Sequence, residues 1–176
     1  MSDALAQLTD PTPEAVVQFL ARVIDAPWPQ ESGAFTAHFD RLGCTAGEPL
    51  EYADPVPGSI GGPFTCDGIS LETGSWAAFN GQLFSLNFFL YSGRRDSETI
   101  AEAGFEAVRE HLRAVCGPPE DEGTDANGSL SAFWNPGENS IELYGHVTLA
   151  PALQVGVGRR SVEALYNEGA RHADRR

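Results

Sequence analysis

Apolar residues recur at helical spacing over about 12–25, where Val16, Val17, Phe19, Leu20, Val23 and Ile24 gather on one side. Asp10 or Thr12, each followed by proline, can cap this helix, and the run APWP ends it. A second, shorter helix over about 32–42 carries Phe35, Phe39 and Leu42 on one side and stops at Gly43. The two are expected to form a hairpin. From Pro49 to Pro63, glycines and prolines interrupt the chain, which predicts a wandering connection with at most one short strand.

Beyond that connection the period changes from helical to two. FTCDGISLE (64–72), SWAAF (75–79) and QLFSLNFFLY (82–91) read as consecutive strands, with Asn80-Gly81 as a tight-turn signal between the last two. In the third strand Phe84, Leu86, Phe88 and Leu90 are expected on one face, and Leu83, Ser85, Asn87, Phe89 and Tyr91 on the other. A strand so apolar belongs near the centre of a sheet. Asp96 or Ser97 then opens the best helix of the chain, about 97–116, with Ile100, Ala101, Gly104, Phe105, Val108, Leu112 and Val115 as one stripe. Gly117-Pro118-Pro119 stops it. After an acidic loop over 118–129 come LSAFW (130–134), SIELYGHVTL (140–149) and ALQVGVG (152–158), then a last helix over about 161–172.

The predicted order is ααβββαβββα: an α+β domain, an antiparallel sheet with the long central helix packed on one face. One domain spans 1–176, with 1–11 and 173–176 expected to be flexible. Phe105, Val108 and Leu112 should enter the core alongside Phe84, Phe88 and Trp134. Leu130, Ala132, Trp134, Ile141, Leu143, Val147, Leu153, Val155 and Val157 should form the sheet's apolar face.

Charge narrows the function classes. The net charge is −14, all eleven basic residues are arginine, and residues 1–158 hold 22 acids against 6 arginines. Such a surface repels phosphate backbones and anionic lipid, so neither nucleic acid nor membrane is an expected partner. A basic protein surface is. The N-terminal residues have no positive stretch followed by an apolar run, and no segment approaches the ~20 apolar residues of a membrane span, which points to the cytoplasm. Cys44, Cys66 and Cys116 are odd in number and widely spaced, so three unpaired, chemically dispensable thiols are expected. Cys116 sits at the negative pole of a helix among carboxylates, which opposes thiolate formation.

Candidate chemistry is sparse. His38, His111, His146 and His172 lie on four different elements without metal-ligand spacing, no GxSxG elbow is present, and no metal or cofactor is expected. GSIGG and GVGRR match no phosphate-binding loop and read as turns. Glu98, Glu102, Glu106 and Glu110 repeat every four residues, forming an acidic ridge opposite the apolar stripe, eased by Arg109 and Arg113. Glu120, Asp121, Glu122 and Asp125 extend that field past the helix. The strand 140–149 alternates cleanly, so Glu142, Tyr144, His146 and Thr148 share its second face, to which the neighbouring strand can add Gln154. That face is either the wet side of the sheet or a recognition surface with an aromatic anchor. Glu142 and His146 are about 13 Å apart by strand rise, too far for direct proton relay, so the chain is not expected to be an enzyme.

The segment FEAVREHLRAVCGPP, the acidic loop, the strand with AFW and then IELYGHVTLAPALQVGV resemble a pattern in small, often actinobacterial, immunity-type proteins. The likeness covers about 97–158 and implies a cytoplasmic antitoxin-like protein that neutralises a toxin by occlusion. The overall helix–strands–helix–strands–helix order also resembles type III secretion-type chaperones, small, acidic and dimeric, which implies binding of an exported protein. The extra N-terminal helix and the third late strand depart from that pattern. In either case the partner-binding candidates are Glu98, Glu102, Glu106, Glu110, Glu120, Asp121, Glu122, Tyr144 and His146.

Overall fold

Local chemistry sets the first two helices. Thr12 Oγ1 accepts the Ala15 amide at 3.2 Å, and Pro13 fills the opening position of α1 (Pro13–Asp25). After one 3₁₀ turn at Ser32–Ala34, α2 (Phe35–Leu42) ends at Gly43, whose φ of 70° is the left-handed conformation a side chain disfavours. The computed structural model describes residues 4, 6–50, 56–92, 97–148 and 150–173. Part of the terminal segments expected to be flexible therefore lies outside the described residues. Within the described part Leu8 is buried, and the Pro11 carbonyl accepts the Tyr91 hydroxyl at 2.7 Å, which ties this stretch to the core.

Strands β1 (Cys44–Ala46), β2 (Ser59–Cys66), β3 (Thr73–Phe79) and β4 (Gln82–Leu90) form a meander. The β3–β4 turn has positive φ at both Asn80 and Gly81, as the asparagine–glycine pair predicts. Helix α3 (Ser97–Cys116) carries the chain to a second meander, β5 (Asp121–Thr124), β6 (Leu130–Trp134), β7 (Asn139–His146) and β8 (Ala152–Arg159), and α4 (Arg160–Ala173) follows. The meanders join through β4 and β8, giving one antiparallel sheet ordered β1-β2-β3-β4-β8-β7-β6-β5. The class is α+β, with α3 packed on the sheet.

The predicted order lacks two strands that are present. β1 is only three residues long, and β5 has the sequence DEGT with every residue exposed, so neither carries an alternating apolar signal. Each is an edge strand held by its one neighbour. The glycine runs also depart from expectation. Gly58 serves a turn, with φ of 89°, but Gly61 and Gly62 lie within β2, and Gly156 and Gly158 within β8. Strand β2 consequently starts at Ser59, inside the stretch expected to wander.

Helices α1, α2 and α3 cover one face, called inner here, over a core that includes Phe19, Leu20, Leu86, Phe88, Ile100, Phe105, Val108, Leu112, Trp134, Ile141, Leu143 and Val155. Gly145 on β7 lets α3 come close, since a Cβ there would stand 3.1 Å from the Cβ of Phe105. Phe84 is not in this core while Leu83 and Tyr91 are, contrary to the simple alternation of β4. The register passes from Ala77↔Ser85 to Ala78↔Leu83, leaving Phe84 as an extra residue. That bulge sends Phe84 to the outer face, where it stacks on Tyr166 of α4 at 5.2 Å within a second cluster of Val56, Phe79 and Val162.

The expectation of three free thiols is also corrected. Cys44 and Cys66 face each other across β1 and β2 and form a disulfide, because antiparallel pairing brings residues 22 apart in sequence into direct opposition. Spacing in the chain conceals that opposition. Cys116 is the free cysteine, and burial raises its thiol pKa. Among the described residues no helix is long and apolar enough to cross a membrane.

Two consequences are measurable by denaturant unfolding. Phe105→Ala should cost about 3–5 kcal/mol, the range for truncating a buried aromatic, whereas a cost below about 1 kcal/mol would contradict the packing of α3. Reducing the disulfide should lower stability by about 3 kcal/mol through the freed unfolded loop, and equal stability with and without reductant would contradict its formation.

Candidate functional site

On the outer face, the strand registers line up side chains in rows across the sheet. Asn87, Gly156, Glu142 and Phe133 form one row across β4, β8, β7 and β6. Phe89, Gln154, Tyr144 and Ser131 form the next, and Ser85, Gly158 and Ser140 lie on the other side. Two of these central positions are glycine, so the strand in the middle carries no side chain there. A Cβ at Gly156 would stand 2.8 Å from Asn87 Oδ1, and one at Gly158 would stand 3.0 Å from Ser140 Oγ and 3.4 Å from Glu163 Oε2. The glycines thus floor a pocket of about 150 Å³ lined by Ser85, Asn87, Ser140, Glu142 and, from α4, Glu163.

Glu142, Glu163 and Ser140 also line a wider groove of about 550 Å³ between α4 and β6–β7, together with Phe133, Arg160 and Asn167. The Ser140 hydroxyl donates to Glu163 Oε2 at 3.2 Å, and the Tyr144 hydroxyl donates to Glu142 Oε2 at 3.2 Å. Burial, with the Glu163 charge behind it, raises the Glu142 pKa, and the Tyr144 hydrogen bond opposes part of that rise. Burial and the neighbouring carboxylates push Tyr144 up to about 12. Among the described residues, neither carboxylate is ion-paired with a cation.

Aromatic rings continue the site along the sheet. Phe133 meets Tyr144 edge-on at 5.5 Å, Tyr144 stacks with His146 at 6.1 Å, and His146 stacks with Phe89 at 6.4 Å. A ring nitrogen of His146 is 2.8 Å from Gln154 Oε1. These side chains are half-buried.

The nine predicted partner-binding residues do not form one surface. Glu98, Glu102, Glu106 and Glu110 are exposed on α3, which covers the inner face, whereas Tyr144 and His146 lie on the outer face. The ridge is partly neutralised, since Arg109 meets Glu106 at 2.7 Å, Glu110 at 3.4 Å and Glu122 at 3.1 Å. Pairing within the sheet splits the acidic segment too. Glu122 lies opposite Ala132 on the inner side, and Asp121 lies opposite Phe133 on the outer side. Glu120 accepts the Asn135 side-chain amide at 2.6 Å. Asp125 is a turn-former, accepting the amides of Asn127 at 2.8 Å and Ser129 at 2.9 Å.

Sequence reasoning missed Glu163, Asn87, Ser85, Ser140 and Phe133, because they converge from three strands and a helix. One usable signal was Gln154-x-Gly156-x-Gly158, a strand face emptied at two alternate positions. Comparison of the chain with protein-family models, curated proteins and solved structures finds no match. The site therefore rests on its own geometry: a carboxylate pair with hydroxyl donors, beside aromatic rings, can receive a cation or a hydrogen-bond donor.

Ionisation of Glu142 works against the fold, because its folded pKa lies above the ordinary 4.5 and the folded chain keeps the proton that the unfolded chain has released. Stability contributed by the protonated group is lost as pH rises through the folded pKa. Glu142→Gln should therefore raise the melting temperature at pH 7, with the gain shrinking as pH falls through the folded pKa and gone below the ordinary value of 4.5. A loss of stability at pH 7, or a gain independent of pH, would contradict this reading.

Proposed function

We propose that this chain is a non-enzymatic, acidic protein-binding module, in the manner of an immunity protein that neutralises a toxin by occluding a basic surface. The carrying observation is the outer sheet face between β4 and β6, where half-buried aromatic rings run into a carboxylate pair that has no cation of its own among the described residues. Asp121 on the outer side of β5 adds to that face, and the exposed α3 ridge contributes a field from behind the sheet. Complementary fields of this kind accelerate encounter and select partners, while buried aromatics hold the complex. The proposal includes a cytoplasmic location. In that reducing setting the strands β1 and β2 must hold through their backbone pairing when the disulfide is open.

A chaperone for an exported protein is the second reading, favoured by one observation. A groove of about 770 Å³ runs beside α4 under Leu50, Ile60, Phe84 and Tyr166, and Leu50 and Ile60 are 48% and 42% exposed. An apolar groove suits extended segments of an unfolded client.

The two readings separate in surface-binding kinetics with a partner purified from the native host. The occlusion reading expects association to slow at least about tenfold between ~0.05 and ~0.5 M salt. Neutralising Glu120 and Asp121 together should lower the on-rate more than it changes the off-rate. Tyr144→Ala should instead raise the off-rate about tenfold or more. Salt-insensitive binding abolished by polar substitution of Leu50 and Ile60 would favour the chaperone reading, and turnover of a small molecule by the purified chain would overturn both.

A further inference from the structure

We infer that the pocket between Glu142 and Glu163 is the specificity site of the outer face and receives one arginine side chain of the partner, guanidinium first. This rests on the protein-binding reading above and names the chemistry it would use. Elsewhere the fold supplies its own counter-ion for clustered carboxylates: Arg109 reaches Glu106, Glu110 and Glu122. Here, among the described residues, the partners are hydroxyls, those of Tyr144 and Ser140. Arg160 lines the adjoining groove, yet its Nη1 is bonded to the Gly137 carbonyl at 3.4 Å and makes no ion pair with either glutamate.

Shape favours a flat cation. The floor is the bare backbone of Gly156 and Gly158, and the walls are Asn87 and Ser85 on one side and Glu142 and Ser140 on the other. Both carboxylates border the opening into the wider groove, so a chain can lie in the groove while its terminal group enters the pocket. Guanidinium presents several donors in one plane, which two carboxylates, the Ser85 hydroxyl and the Asn87 carbonyl can accept together. Phe133 lines the adjoining groove and meets Tyr144 edge-on, and a planar cation stacks on such a ring better than an ammonium does. Burying such a group beside Glu142 would also remove the repulsion from Glu163 that now acts on it.

The test uses the full chain and N-acetyl-argininamide as probe, followed by NMR, with the lysine and citrulline analogues alongside. The expected result is saturable shifts of Asn87, Phe133, Glu142 and Tyr144 with the arginine probe. The lysine analogue should bind several-fold more weakly, and the neutral citrulline analogue should not saturate. Glu142→Gln and Glu163→Gln, each first verified as folded, should weaken the arginine probe at least tenfold. Equal binding of the citrulline analogue, shifts confined to the α3 ridge, or unchanged affinity in both variants would overturn the assignment. If the probe binds as expected but partner association is salt-insensitive, the occlusion reading fails and the pocket stands. If partner binding is salt-sensitive yet indifferent to both substitutions, the reverse holds.

Discussion

Everything in this fold depends on how closely α3 can lie against β6, β7 and β8. The helix stripe of Ile100, Phe105, Val108 and Leu112 is fully withdrawn from water only because the backbone beneath it gives way: Gly145 leaves room for Phe105, and Gly104 leaves room for the Tyr91 ring. Tyr91 in turn holds the segment leading into α1 through the Pro11 carbonyl. At the far end Trp134 Nε1 donates to the Gly117 carbonyl at 3.0 Å, fixing the helix terminus to β6. Three helices are thereby committed to one face of the sheet. Among the described residues, α4 is the helix on the opposite face, where Val162 and Tyr166 pack with Val56, Phe79 and Phe84.

That asymmetry has an electrostatic consequence. On the inner side, acidic residues of α3 and β5 are solvated or satisfied by Arg109, so their field is broad and shallow. On the outer side the carboxylates of Glu142 and Glu163 are drawn partly out of water by the sheet and α4, and they meet hydroxyls in place of cations. Charge held in lower dielectric interacts more strongly with an arriving partner than exposed charge does. The ridge suits attraction at a distance, and the outer face suits recognition at contact.

Much of this architecture was legible in the chain. The long helix lies over 97–116 as its 3.6-residue stripe indicated, though Val115 at its end is exposed, and the inner-face residues of β6, β7 and β8 follow their period of two, though Val147 lies past the end of β7. What escaped has a common cause, dependence on a neighbour across the sheet. β5 has no apolar residue and exists because β6 pairs with it; Phe84 changes face because of a bulge opposite Ala77; Cys44 meets Cys66 because β1 and β2 are in register. The candidate site was half legible for the same reason. Alternation of β7 put Glu142, Tyr144 and His146 on one face, but nothing local relates Glu163 on α4, or Asn87 on β4, to a pocket over Gly156 and Gly158.

The central claim is that the surroundings of Glu142 raise the pH at which it ionises, and that a partner's cation beside it lowers that pH again. The most direct measurement is the titration midpoint of the Glu142 side-chain carboxyl carbon by NMR, without and with saturating N-acetyl-argininamide. The account predicts a midpoint above the ordinary carboxylate value in the free chain and a lower one when the probe is bound, since a nearby positive charge favours the carboxylate. An ordinary midpoint in the free chain, or one that does not move with saturating probe, would contradict it.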